Sequence, residues 1–584
     1  MTSFITQNSI YLYFGEKVLF VCKINYKFRT NIFMMNDILF QIKYTFSPMR
    51  ITRKKDTHER LRESFGKLKD DSFDFDYIQK YFSKKEHSES YQVLSDKTCN
   101  DLDFDDLFLF LDRTNSKVGQ QYFYNHLRTI KANKKETNRN EALINSLSKD
   151  SELRISLQKQ LEKLKSKDAY YVTTLFQEEH IKPPKWFFII KILSFSSLAS
   201  LILSLYYPIF LALSTLILCV NFIIHYWNKN NLTQYISSIP ELLKLNNVAS
   251  NLYANPLFKN LNPKLPKSIS LINEVKNRMS FFQLEAKLQG EIELIAWFFF
   301  EVFKIIFLLE PLLLFGVLKR LNTKREDIEN VFQFVGHIDM LISIASLRKG
   351  LDTYCLPIIT NDNKIVVKDI SHPLIFNCAT NSIKIAEKSI LLTGSNMSGK
   401  TSFIRAIGLN VITGLTINTC FAKAMTFPLL KVFSAIRISD DLLNDKSYYF
   451  EEVLTIKEML KESESGQKNL FLLDEIFKGT NTVERISAGK SVLSALTKNN
   501  NKILVSTHDI ELTDMLAQEY DLYHFSETVN NKTVGFDYKL KEGKLKNRNA
   551  IRILEINDYP KEVVKEAIEI SKELDQTYAA KSYT

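Results

Sequence analysis

Apolar and polar residues are interleaved along most of this chain, but residues 186–227 break the pattern. The run WFFIIKILSFSSLASLILSLYYPIFLALSTLILCVNFIIHYW holds one charged residue, Lys191, in 42 positions. A helix needs about 20 apolar residues to cross a bilayer, so the run predicts two spans joined at Tyr206–Pro208. Trp186 and Trp227 stand at the outer ends and two tyrosines at the turn, where interfacial aromatics belong. Lys182, Lys185, Lys191 and Lys229 lie toward the outer ends, which predicts that both ends face the cytoplasm. A soluble helix apolar on every side would have to be enclosed on every side. The expectation is therefore a transmembrane helical hairpin. A second apolar tract, 296–318, is interrupted by Glu301, Lys304, Glu310 and Pro311. Each charge at mid-bilayer costs about 2.5 kcal/mol or more, so this tract is expected to be a buried soluble helix, with a third membrane segment as the alternative.

Residues 1–50 are rich in Tyr, Phe and Ile without a clear period. They read either as a strand-forming extension or as sequence preceding a natural start at Met49. Residues 100–170 place apolar positions three and four apart, as helices do. Beyond about 350, short Val/Ile/Leu runs alternate with helical patterns, which predicts an α/β domain. The expected organisation is an N-terminal extension over 1–85 and a helical core and lever region over 86–180. The hairpin at 186–227, a second helical stretch over 228–350 and an α/β domain over 351–584 complete it.

With 45% hydrophobic and 24% charged residues, 16 Gly and 13 Pro among 584, the composition is that of a globular chain rather than a disordered one. A net charge of +11 suits nucleic acid or an anionic membrane face, and equally simple solubility. The six cysteines form no C-x-x-C pair, which argues against a disulfide framework or zinc site and for a reducing compartment. The first 20 residues lack the pattern of a secretory signal.

Candidate chemistry concentrates in the α/β part. In LLTGSNMSGKTS (391–402) an apolar run meets the full G-x-x-x-x-G-K-S/T phosphate-loop pattern. Gly394, Ser395, Asn396, Met397, Ser398, Gly399, Lys400, Thr401 and Ser402 make the loop. Its backbone N–H groups and the following helix N-terminus suit phosphate oxygens. Lys400 would reach the β/γ-phosphates of ATP, and the Thr401 hydroxyl would hold Mg²⁺. LFLLDE (470–475) reads as a strand ending in two carboxylates, with Asp474 for the Mg²⁺ shell and Glu475 to orient and deprotonate water. KILVSTHD (502–509) follows, and its His508 could sense the γ-phosphate.

Taken together, these segments resemble the MutS family of DNA mismatch repair ATPases. GSNMSGKTS is similar to that family's G-P-N-M-x-G-K-S-T loop. RISDDLLNDKSYYFEE (437–452) is similar to its signature segment, with Arg437, Asp440, Asp441, Ser447 and Glu452 on matching positions. LLDEIFKGTNT (472–482), VSTHDIEL (505–512) and the helical tail IRILEINDYPKEVVKEAIEI (551–570) also match. LFLFLDRTNSKVGQQYFYNHL (107–127) resembles the start of the family's core and lever region.

The resemblance implies an ABC-type P-loop ATPase domain at the C-terminus, preceded by an all-α core and lever region that here contains the transmembrane hairpin. It further implies a homodimer through the ATPase domain, with Ser447 reaching the γ-phosphate in the partner's site and Gly479–Asn481 lining the interface. Asp445, Tyr448 and Phe477 depart from the motifs, and an extra acid near phosphate would weaken that contact. The family's mismatch wedge is a Phe-x-Glu motif, and Phe14–Glu16, Phe176–Glu178, Phe299–Glu301 and Phe450–Glu452 all fit it, so the match carries no weight. The expectation is an ATP-hydrolysing protein that binds double-stranded DNA, held at the inner (cytoplasmic) membrane by 186–227 with its ATPase domain in the cytoplasm. The alternative is a membrane-anchored mechanochemical or scaffold ATPase without mismatch recognition.

Overall fold

In the computed structural model, the described residues are 3–6, 9–14, 17–20, 56–291, 294–395, 397–437, 448–530, 533–545, 550–556 and 559–581. The chain divides into two compact units, Met1–Glu59 and Arg60–Thr584. In the first, Ser3–Thr6, Ser9–Phe14 and Lys17–Phe20 form an antiparallel meander.

The second unit begins with a helical region. Helix α1 (Lys117–Arg128) starts at Ser116, whose hydroxyl accepts from Gly119 N, a regular N-cap. One two-residue strand pair, Gln92–Val93 with Thr129–Ile130, interrupts the expected all-α region. The apolar run folds into α2 (Phe187–Ser204) and the first part of α3 (Ile209–Tyr253). Both windows are long and apolar enough to cross a membrane, and only 17% of the residues in each are buried by protein. The Trp186 and Trp227 rings, 5.6 Å apart, pair at the outer ends.

The apolar span ends at Trp227, and α3 continues past it as one 45-residue helix into the helical core. One expectation needs correction. The tract 296–318 is not one buried helix. It is α4 (Leu294–Phe307) and α5 (Leu309–Leu321), broken at Leu308, which has φ 45°. Pro311 falls in the first turn of α5, where a missing N–H is tolerated, so the break precedes the proline instead of kinking at it.

Helix α6 (Arg325–Gly350) follows and is buried along almost its whole length from Ile328 to Arg348. It is the spine of the helical core and packs along α1. Its Asp339 carboxylate accepts from Asn115 N (2.9 Å) and Ser116 N (2.8 Å), fixing the entry to α1. A Cβ at Gly119 would collide with that carboxylate, which explains a glycine on the first turn of α1.

The α/β part holds a six-stranded sheet. Its strands are β1 (Ser389–Thr393), β2 (Lys431–Ala435), β3 (Asn469–Asp474), β4 (Lys502–Ser506), β5 (Tyr520–His524) and β6 (Lys541–Glu542). The order is β2-β3-β4-β1-β5-β6, parallel except for β6. SILLT, NLFLLD and KILVS are buried on both faces, which is why they read as continuous apolar runs rather than alternating ones. Helix α7 (Lys400–Ile417) leaves the loop after β1 and packs on β3 and β4. Helices α8 (Tyr448–Ser463) and α9 (Thr482–Leu496) flank the sheet. A four-stranded sheet of 358–360, 424–428, 365–370 and 381–385 sits beside it.

His337 on α6 gives the helical core a pH dependence. Its Nε2 lies 3.0 Å from Asn140 Oδ1, and burial, with the neighbouring His126 adding, drives its pKa down to about 3. An unfolded histidine titrates near 6.5, so the unfolded chain takes the proton first. The stability held by neutral His337 is present above about pH 6.5 and is lost as pH falls toward 3. Between about pH 7 and pH 5.5 the loss is about 1 kcal/mol. Thermal melts should show a lower midpoint at the lower pH, and His337→Gln should remove that share of the drop. An unchanged drop in the variant would contradict this assignment.

Candidate functional site

The site is built at the carboxyl ends of β1, β3 and β4, where ligands of open α/β sheets bind. β1 delivers the chain into the glycine loop. Gly394 has φ 149°, and a Cβ there would lie 2.7 Å from Phe525 O. Gly399 has φ 104°, and a Cβ there would press on the Tyr538 ring at 3.2 Å. The loop is thus a close backbone cradle that side chains at these two positions would fill.

Lys400, buried at the start of α7, folds back to donate to Gly394 O (2.8 Å) and Ser395 O (3.0 Å). Burial lowers its pKa against the pull of Glu475 and Asp474. Ser395 Oγ donates to Glu527 (2.7 Å), and Met397 is exposed. The buried Ser398 hydroxyl has no protein partner, so the cradle keeps a polar group for something else. Ser402 lines the same cavity, and Asn396 lies outside the described residues.

Thr401 Oγ1 donates to Asp474 Oδ2 at 2.6 Å, joining the start of α7 to the end of β3. Ser506, at the end of β4, donates to the other oxygen of Asp474. Glu475 follows with φ 52°, its N–H donating to Ser506 O at 2.9 Å. His508 Nε2 lies 2.8 Å from the Glu475 carboxylate, which also pairs with Lys478. Burial pushes the Glu475 pKa up, but the His508 and Lys478 contacts outweigh it and hold it down to about 2. Behind this turn Phe477 has φ 61°, and its N–H donates at 2.5 Å to the buried Glu452 of α8. Asn481 caps α9 by accepting from Glu484 N at 3.0 Å.

The sequence reading thus named Lys400, Thr401, Asp474, Glu475 and His508, and the fold brings all five to one crevice. Ser447, with Asp440, Asp441 and Asp445, lies outside the described residues. Arg437 is away from the crevice's floor: it donates to Asp103, and its N–H to Asp101 at 2.8 Å, tying the α/β part to the helical core.

Sequence reasoning missed the second wall. A cavity of about 500 Å³ runs from Ser398–Thr401 and Glu475 to His372, Phe376, Asn381 and Tyr538. Asn381 Nδ2 donates to Tyr538 O at 3.0 Å, holding together segments 157 residues apart. Burial, with Arg405 nearby, lowers the His372 pKa to about 4, so this wall is uncharged at neutral pH. No local motif announces such a wall, because its parts meet only through the sheet.

The arrangement can close backbone N–H groups around phosphate and offer one ammonium to it. It provides a hydroxyl–carboxylate pair for a hydrated divalent cation. Among the described residues no group of three or more His, Cys, Asp or Glu forms a metal cage. A cation at Thr401 and Asp474 would therefore take its remaining oxygens from water and phosphate, as Mg²⁺ does.

Residues 390–575 match the family profile described as MutS domain V. The chain is 29% identical over 262 residues to the DNA mismatch repair protein MutS of Aquifex pyrophilus, covering 43% of this chain and 30% of that protein. It is 28% identical over 264 residues to that of Listeria monocytogenes serotype 4a, covering 43% and 30%. The figures for Clostridium kluyveri are 28% over 264 residues, 42% and 30%. The chain thus spans about 30% of the length of these relatives. The profile covers the glycine loop, β3, β4 and the Glu475–His508 pair, and over this domain the chain is similar to MutS.

Proposed function

We propose that this protein binds and hydrolyses ATP with Mg²⁺ as a dimeric, DNA-binding ATPase of MutS type, anchored in the cytoplasmic membrane through residues 186–227. The observation that carries the ATPase reading is the convergence of Lys400, Thr401, Asp474, Glu475 and His508 on one glycine cradle. In this reading Lys400 exchanges its loop carbonyls for the β/γ-phosphates. Thr401 and Asp474 would hold Mg²⁺, which would supply charge neutralisation at the phosphate oxygens. Glu475 is a weak base while His508 and Lys478 hold it. His508 turning to the γ-phosphate would leave Glu475 with a water instead. Ser447 acts in the partner's site, and the exposed Val563, Ile568 and Ile570 on the tail helix support pairing of two copies. The low burial of α2 and the first half of α3 supports the anchor.

The second reading, a membrane mechanochemical ATPase without mismatch recognition, is favoured by one observation. α3 passes from the apolar hairpin into the helical core as one helix, with Pro240 in its core part, so the two regions share an element.

In nucleotide titrations Lys400→Ala should lose binding. Glu475→Ala should retain ATP while turnover falls about 10²-fold or more. Normal turnover in the Glu475 variant would refute its role as base. Duplex-DNA binding should weaken steeply with salt, by tenfold or more between about 50 and 200 mM if several phosphates are contacted. Absence of binding at low salt would remove the DNA reading and leave the mechanochemical one.

A further inference from the structure

We propose that α4 and α5 form a re-entrant helical pair that enters the bilayer beside the hairpin, with Phe298, Phe299 and Phe303 facing lipid. The inference rests on the membrane reading of α2 and α3 and adds to it.

Contacts to the hairpin set the depth of each residue. Trp186 and Trp227 pair at the outer ends. Just inside, His225 on α3 lies 3.1 Å from Glu301 on α4. Deeper, Asn221 Nδ2 donates to Ile306 O (2.9 Å) and Ser194 Oγ to Phe307 O (2.7 Å). Ser194 is eight residues past Trp186, about 12 Å along a helix, and Asn221 is six before Trp227, about 9 Å. The turn at Leu308 thus sits about a third of the way through a core about 30 Å thick. From there α5 returns, and Phe315 meets Phe187 at the outer end with ring centroids 5.2 Å apart.

Three features fit this depth. First, a helix break in hydrocarbon is tolerated only where protein satisfies its backbone. Here two hairpin side chains take up Ile306 O and Phe307 O, and Leu308 is fully buried. Second, the charges that argued against a membrane location point inward. Lys304 Nζ lies 2.6 Å from Glu301 and 3.4 Å from Glu310, and these residues and His225 are at most 5% exposed. Third, the outward face is the apolar one. Phe298, Phe299 and Phe303 are 57%, 67% and 49% exposed, continuous with the bare surface of α2 and α3. A helix with ions inside and phenylalanines outside is built for an apolar solvent.

The test uses the full-length wild-type protein in liposomes that carry a diazirine-tagged phosphatidylcholine, with adducts mapped by mass spectrometry. Lipid adducts are expected on 187–204, on 209–227 and on Phe298, Phe299 and Phe303, and none on 265–273 of the helical core. Adducts on the hairpin with none on 294–307 would overturn the inference and leave the hairpin reading intact. No adducts in either region would overturn both.

Discussion

The molecule depends on Arg348. It ends the buried spine α6, and its guanidinium reaches Thr419 Oγ1 (3.0 Å), Asn418 O (3.1 Å) and Ile417 O (3.3 Å) at the C-terminus of α7. The same group makes a two-pronged pair with Glu141 at 2.6 and 3.0 Å. A cation at a helix C-terminus meets the negative end of the helix dipole. Removing one partner of a buried pair costs about 3–5 kcal/mol, because the other charge is left stranded. One side chain therefore binds the helical core to the far end of the helix that begins with Lys400. Next to it, Cys355 and Cys420 exchange both backbone hydrogen bonds at 2.9 Å, which continues the junction.

From that junction a continuous path leads in each direction. Toward the sheet, α7 carries Lys400 and Thr401 at its first turn, so a shift in the phosphate cradle is a shift of a rigid helix. Away from it, α6 follows directly on α5, and α5 is braced through Phe315 and the Lys304–Glu310 contact on the apolar helices. A second route is α3 itself, whose two ends belong to the hairpin and the helical core. Arg437 on Asp103 and Arg405 on the same carboxylate close the junction from the other side. A series of packed elements thus links the site to the apolar helices.

Local pattern made much of this legible. The glycine loop, the Asp474–Glu475 strand end and His508 each carry their own short signature, because a phosphate cradle is made from consecutive backbone groups. The pair of long apolar helices was legible because a run with one charge in 42 residues leaves few alternatives. The break of 296–318 at Leu308 and the inward turn of its charges were not legible, because composition counts charges but does not say which way they face. Glu301, Lys304 and Glu310 turned out to face one another. The Phe376–Tyr538 wall and the Arg348 clamp were invisible for a different reason. Each joins residues far apart in the chain, and a lone arginine or an exposed phenylalanine has no local mark of what it will touch. The continuation of α3 past Trp227 was not legible because a change in composition along a helix need not end the helix.

Arg348 gives the glycine cradle a packed route to the apolar helices. Hydrogen exchange of the liposome-bound Glu475→Ala protein, with and without ATP, tests it most directly when repeated with Arg348→Lys. Lysine keeps the charge but cannot make the forked contacts. ATP should change exchange in 400–417, in 325–350 and in 309–321, and Arg348→Lys should still bind ATP but confine the change to 400–417. A change in 309–321 that survives Arg348→Lys undiminished would contradict it.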